Sequence, residues 1–133
     1  PDGSPYGVGR VGTAHRPGLS PAEYAAHVKE RLSAASVRYA DGGRPVARVA
    51  VGGGSCGSML ADALAAGCDT FVTADVKYDV FLQAKALGLN LLDAGHFATE
   101  NVVCPPLADF LAGRFPQIEV RVSTVHKEVY AGV

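Results

Sequence analysis

An imidazole and a carboxylate four residues apart stand out in Asp93-Ala94-Gly95-His96-Phe97-Ala98-Thr99-Glu100. On an α-helix, His96 and Glu100 project from one face a single turn apart, so a ring nitrogen and a carboxylate oxygen can converge on one cation. Imidazole suits zinc, iron and the other first-row divalent ions, and the carboxylate also accepts harder ones such as manganese or magnesium. Asp93 closes the preceding apolar run and is placed to accept a hydrogen bond from the second ring nitrogen, which would fix the tautomer. The plainer alternative is a solvated helix pair with no ligand. Position argues for the metal, because ligands of open α/β sheets bind beyond the carboxyl ends of strands and this pair follows such an end.

A second constellation competes for the same crevice. Gly52-Gly53-Gly54-Ser55-Cys56-Gly57 fits G-x-G-x-x-G between an expected strand and an expected helix, which is the setting of a dinucleotide fingerprint. Backbone N–H groups around Gly53, Gly54 and Ser55 would favour an anion, and Asp75, about 20 residues on at the next strand end, is positioned as a ribose acid. The same glycines also permit a tight strand-to-helix turn, and that reading outweighs a nicotinamide cofactor. A phosphate or substrate anion on this loop stays open. Asp75 has two readings of equal weight, a member of the crevice or a cap for the following helix.

These side chains need a scaffold, and the hydrophobic pattern supplies one. Residues 1–19 are rich in Gly and Pro and read as a lead-in segment or sheet edge, with a weak strand at 6–12. Ser20-Pro21-Ala22-Glu23 is a capping box with proline at the first helical position, predicting a helix to about residue 34 whose buried face carries Tyr24, Val28 and Leu32. A short strand at 37–39 precedes the turn Asp41-Gly42-Gly43-Arg44-Pro45. Strands at 46–51, 70–73, 89–93 and 118–123 then alternate with helices at 55–66, 77–87 and 97–113, and the tail suggests a last strand at 128–131. Pro105 and Pro106 should break the third helix, leaving a short first piece that holds His96 and Glu100. The alternation predicts a three-layer α/β fold, a largely parallel sheet with right-handed βαβ crossovers and short extra edge strands, forming a single domain over 20–133.

Composition narrows the function classes. The chain has 133 residues, a formal net charge of −1 and no basic run, so nucleic acid is not an expected partner. No apolar run reaches the ~20 residues of a membrane span and no signal peptide opens the chain, which predicts a soluble cytoplasmic protein. Cys56, Cys68 and Cys104 lack a C-x-x-C pair and read as reduced, small apolar residues. His15, His27 and His126 are expected at the surface. The start at Pro1-Asp2-Gly3 without methionine, with Met59 the sole methionine, points to a piece of something longer.

Taken together, Val49-Ala50-Val51-Gly52-Gly53-Gly54-Ser55-Cys56-Gly57, Thr73-Ala74-Asp75-Val76-Lys77-Tyr78 and Asp93-Ala94-Gly95-His96-Phe97-Ala98-Thr99-Glu100 resemble the successive motifs of the Nif-three-like (Ngg-interacting-factor-three-like) family, often labelled GTP cyclohydrolase type two homologues. The resemblance runs from about residue 7 to the end, and D-A-G-H-x-x-T-E is its most specific part. It implies that His96 and Glu100 help bind a pair of divalent metal ions. It also implies that a histidine pair and an aspartate from an N-terminal half complete the site, and that the whole protein forms a homo-oligomeric ring. Asp79 stands where family members commonly carry histidine. Two functions follow as expectations: a metal-dependent hydrolase-type site of which this chain holds half and is inactive alone, or a nucleotide- or anion-binding or scaffold module using the loop at 52–57 without catalysis.

Overall fold

The computed structural model describes residues 7–131. Five strands form one sheet: β1 (Arg10–Thr13), β2 (Arg38–Ala40), β3 (Arg48–Val51), β4 (Thr70–Thr73) and β5 (Asn90–Asp93), in the order β1-β3-β4-β5-β2. The inner pairs β3–β4 and β4–β5 are parallel, while β1 and β2 close the two sides antiparallel. The fold is thus α/β with the expected parallel centre and extra edge strands.

Alternation of side chains along the central strands creates the layers. Ala50, Phe71 and Leu91 join Leu60, Ala63 and Ala84 on one face, from helices α2 (Leu60–Ala65) and α3 (Tyr78–Ala86). Val49, Val72 and Leu92 join Ala25 and Val28 of helix α1 (Pro21–Leu32) on the other. The expected stripe of α1 packs as read, Val28 fully and Tyr24 and Leu32 in part. Its start is set by the capping box, in which Ser20 Oγ accepts from the Glu23 N–H at 3.3 Å and the Ser20 N–H donates to Glu23 Oε2 at 2.9 Å.

Two sequence expectations change, and the proline break in the third helix is met. The helix expected at 55–66 begins as a 3-10 turn at Gly57–Met59, leaving α2 only the span from Leu60 to Ala65. The third helix divides at the prolines, giving α4 (His96–Asn101) and α5 (Cys104–Arg114), with Pro105 and Pro106 in the first turn of α5 where no intrahelical N–H is required. No strand forms at 118–123 or 128–131 among the described residues. The sheet is completed at its two sides by β1 and β2, and residues 118–131 pair with neither of these edge strands. Cys56, Cys68 and Cys104 are free thiols, and burial pushes the Cys68 thiol up.

Candidate functional site

The carboxyl ends of β3, β4 and β5 lead into three turns that meet. From β5 the chain passes Ala94 and Gly95, whose φ of +85° swings the backbone so that α4 begins directly at His96. From β4 it passes Asp75, a non-glycine residue at φ +52°. From β3 it enters the glycine loop.

His96 is held on both ring nitrogens. Nδ1 lies 2.5 Å from Asp75 Oδ2, and Nε2 lies 3.2 Å from Glu100 Oε1 one helical turn along. The hydrogen bond to Asp75, reinforced by the charges of Glu100 and Asp75 against partial desolvation, raises the imidazole above its ordinary value. Asp75 therefore does what Asp93 was expected to do. Asp93 does not take the ring nitrogen: its buried carboxylate is engaged by the Arg38 guanidinium and by the N–H groups of Val76 at 3.0 Å and Gly95 at 3.2 Å. Its role is to fix the two turns that carry Asp75 and His96. Asp75 does not cap α3 either, because Lys77 occupies that N-cap position without a side-chain cap bond.

The glycine loop belongs to the same site, in a different capacity from an anion cradle. The Gly54 N–H donates to Thr99 Oγ1 at 3.0 Å, and the Gly54 carbonyl accepts from Thr73 Oγ1 and the Ala74 N–H at 2.9 Å each. Gly52 and Cys56 also donate within the protein, to the Val72 carbonyl and to Thr73 Oγ1. Of the proposed anion-binding positions, Gly54 has its N–H taken by Thr99, while Gly53 and Ser55 lie on the exposed side of the loop, so the ring of donors a phosphate needs lacks its middle member.

What the loop does provide is space. A Cβ on Gly54 would lie 2.4 Å from Glu100 Oε1 and 3.3 Å from His96 Cε1, and the residue sits at φ +66°. Gly54→Ala is accordingly expected to push the Glu100 carboxylate off the imidazole and to cost about 1–3 kcal/mol of stability through the left-handed backbone. Urea unfolding and the His96 ring shifts in NMR check both effects together.

Sequence reasoning missed three contributors. Thr99 locks α4 to the loop, with its hydroxyl also near the Gly95 and His96 carbonyls at 2.9 and 3.0 Å. Arg38 reaches the site only because β2 pairs with β5 in a register that sets it opposite Asp93. The tail returns over α4, with the His126 ring 5.2 Å from Phe97 and Tyr130 beside Gly95. No local pattern marks His126 or Tyr130, and Arg38 lies 55 positions from its partner.

The fit of this site to a metal can be judged from its atoms. Two ligand atoms on one tetrahedral zinc, at bonds of about 2.0–2.1 Å, stand about 3.3 Å apart. The Nε2–Oε1 separation matches that bite, and with Asp75 accepting a proton from Nδ1, Nε2 would be the nitrogen free to ligate once its own proton is lost. Among the described residues, no group of three or more His, Cys, Asp and Glu side chains converges to hold an ion. The donor set is a fitting half.

Fold and site thus define an α/β chain that presents a carboxylate-oriented histidine and a glutamate beyond the ends of parallel strands. The Duf34/NIF3 (NGG1p interacting factor 3) family profile matches residues 3–129, and the chain belongs to that family. It is 32% identical over 113 residues to the GTP cyclohydrolase 1 type 2 homolog of Pseudomonas aeruginosa, covering 85% of this chain and 44% of that protein. The corresponding Staphylococcus aureus protein is 34% identical over 113 residues, covering 81% and 31%. Among solved structures, Staphylococcus aureus protein SA1388 superposes with a TM-score of 0.85 at 29% identity, over 98% of this chain and 38% of that one. A Bacillus cereus protein related to NIF3 gives 0.79 at 28% identity, over 96% and 36%. The chain therefore spans less than half the length of these relatives. No helix among the described residues is long and apolar enough to cross a membrane.

Proposed function

We propose that this chain contributes one half of a divalent-metal site of hydrolase type, with His96 Nε2 and Glu100 Oε1 as its ligands. The single observation that carries this reading is the His96 ring held between Asp75 and Glu100 over a glycine with no room for a side chain. Zinc, manganese, iron or magnesium suits the pair, and two ions per site are proposed for the whole protein, where an N-terminal half supplies the remaining ligands within a homo-oligomer. When bound, such ions supply Lewis acidity for an attacking water and a clamp on a substrate oxygen. The chain's own residues have separate tasks. Asp75 keeps a proton on Nδ1, Asp93 and Arg38 hold the turns, and Thr99 fixes α4 against the loop. Resemblance to proteins named GTP cyclohydrolase homologues supports a hydrolytic reaction, while no residue here selects a purine.

Calorimetric titration of chelator-treated chain with zinc tests the reading. Saturable, modest-affinity uptake is expected at pH 7.5, and an absence of uptake there would sink it. The pH dependence has a definite sign. A raised His96 pKa means that the proton shared with Asp75 and Glu100 favours the metal-free fold at low pH, an advantage lost as pH rises through the folded-state value. Zinc needs the unprotonated Nε2, so uptake should run the opposite way and weaken on acidification earlier than for an ordinary imidazole. A zinc affinity that does not fall between pH 7.5 and 5.5 would contradict His96 as a ligand.

A further inference from the structure

Beside the His96–Glu100 pair lies a polar recess of about 380 Å³ lined by Ser36, Arg38, Asp75, Asp93, Gly95 and Tyr130. Two of its lining side chains, Arg38 and Asp93, are braced by the fold. Arg38 Nη2 is fixed by Asp93 and by the Val76 carbonyl at 3.1 Å, and its guanidinium stands 5.4 Å from the centre of the Phe81 ring. The Tyr130 hydroxyl touches the Gly95 turn, 3.4 Å from where a Cβ would stand, next to the start of α4. Tyr130 also lines a second, larger cleft of about 500 Å³ that includes His96, Phe97, Glu100 and His126. It is therefore the wall shared by two recesses, one lined by the candidate ligands themselves and the other by Asp75 and Gly95 beside them.

The chemistry of the recess is balanced. Arg38 Nη1 and Nε, the Ser36 hydroxyl and the Tyr130 hydroxyl have no protein acceptor among the described residues, and Asp75 keeps one oxygen beyond the one facing His96. The recess therefore offers both donors and acceptors. Asp93 neutralises Arg38 and Asp75 adds a further carboxylate, so there is no surplus positive charge to hold a phosphate. Burial, then the charges of Glu128, Asp93 and Asp75, push the Tyr130 phenol up, which keeps the hydroxyl a donor.

We propose that this recess binds a neutral, hydroxyl-rich group of the substrate, of the size and chemistry of a furanose ring, with Tyr130 and Arg38 as its specificity residues. Vicinal hydroxyls donate and accept at once, and they match a wall that offers both. Placement of the bound group next to reacting atoms rests on the metal-site reading, whereas binding itself does not.

The test uses the full chain with zinc, titrated by methyl β-D-ribofuranoside or by inorganic phosphate and followed by amide NMR, with zinc uptake measured separately by calorimetry. The riboside should shift the Ser36, Arg38, Gly95 and Tyr130 amides saturably, Tyr130→Phe should weaken binding about three- to tenfold, and zinc uptake should stay within twofold. Arg38→Lys should weaken the riboside further while keeping the ion pair to Asp93. Absence of a saturable shift, an undiminished affinity in Tyr130→Phe, or tighter binding of phosphate at the same amides would each overturn the proposal. Riboside binding that depends on Tyr130 in a chain that takes up no zinc would uphold the recess and refute the metal site instead.

Discussion

A chain carrying both His96→Ala and Glu100→Ala is expected to show no saturable zinc uptake, a loss of more than about 100-fold in affinity. Each substitution alone leaves one ligand, which is too few to hold an ion against water. The double variant should otherwise behave as the parent. Side-chain exposure is 47% for His96 and 57% for Glu100, and neither supports the core, so the stability change should stay within about 0.5 kcal/mol. That contrast makes the experiment decisive. Equal zinc heats from parent and double variant would remove these residues from the site, and a collapse of the fold would contradict their exposure.

Asp93→Ala should produce the opposite pattern, a large loss of stability. Only 6% exposed, Asp93 gathers the Arg38 guanidinium, the buried Val76 N–H and the Gly95 N–H on one carboxylate. Alanine would leave the Val76 N–H without an acceptor in the interior and release two turns at once. A cost of about 2–3 kcal/mol follows, a fall of roughly 8–12 °C in Tm for a chain of this size. Arg38 does not add the full penalty of an orphaned buried charge, because its exposed head can turn to water. A Tm change under about 3 °C would show that the carboxylate is not the brace described here.

Much of this architecture was legible locally. The Ser20 capping box, the proline break before α5 and the strand at Thr70–Thr73 follow from short-range rules, and so does the stacking of His96 over Glu100. What escaped depends on distant partners. Asp75 and Asp93 look alike in the sequence, each ending an apolar strand. Their roles separate because β2 brings Arg38 to Asp93 and leaves Asp75 for the imidazole. The glycine loop likewise reads as an anion cradle until Thr99, 45 residues on, takes the Gly54 N–H. The strands expected in the tail needed a sheet edge to pair with, and whether a segment reaches one is a property of the whole topology.

The left-handed backbone of Asp75 carries an implication for how this protein would change over generations. A β-carbon at φ +52° is tolerated at a cost of about 1 kcal/mol that glycine would not incur. A lineage screened only for heat tolerance would gain by discarding the aspartate, and nothing in the core would resist. Retention of Asp75 under such a screen, when growth also demands the protein's activity, would reveal that the imidazole's orientation is what the organism selects.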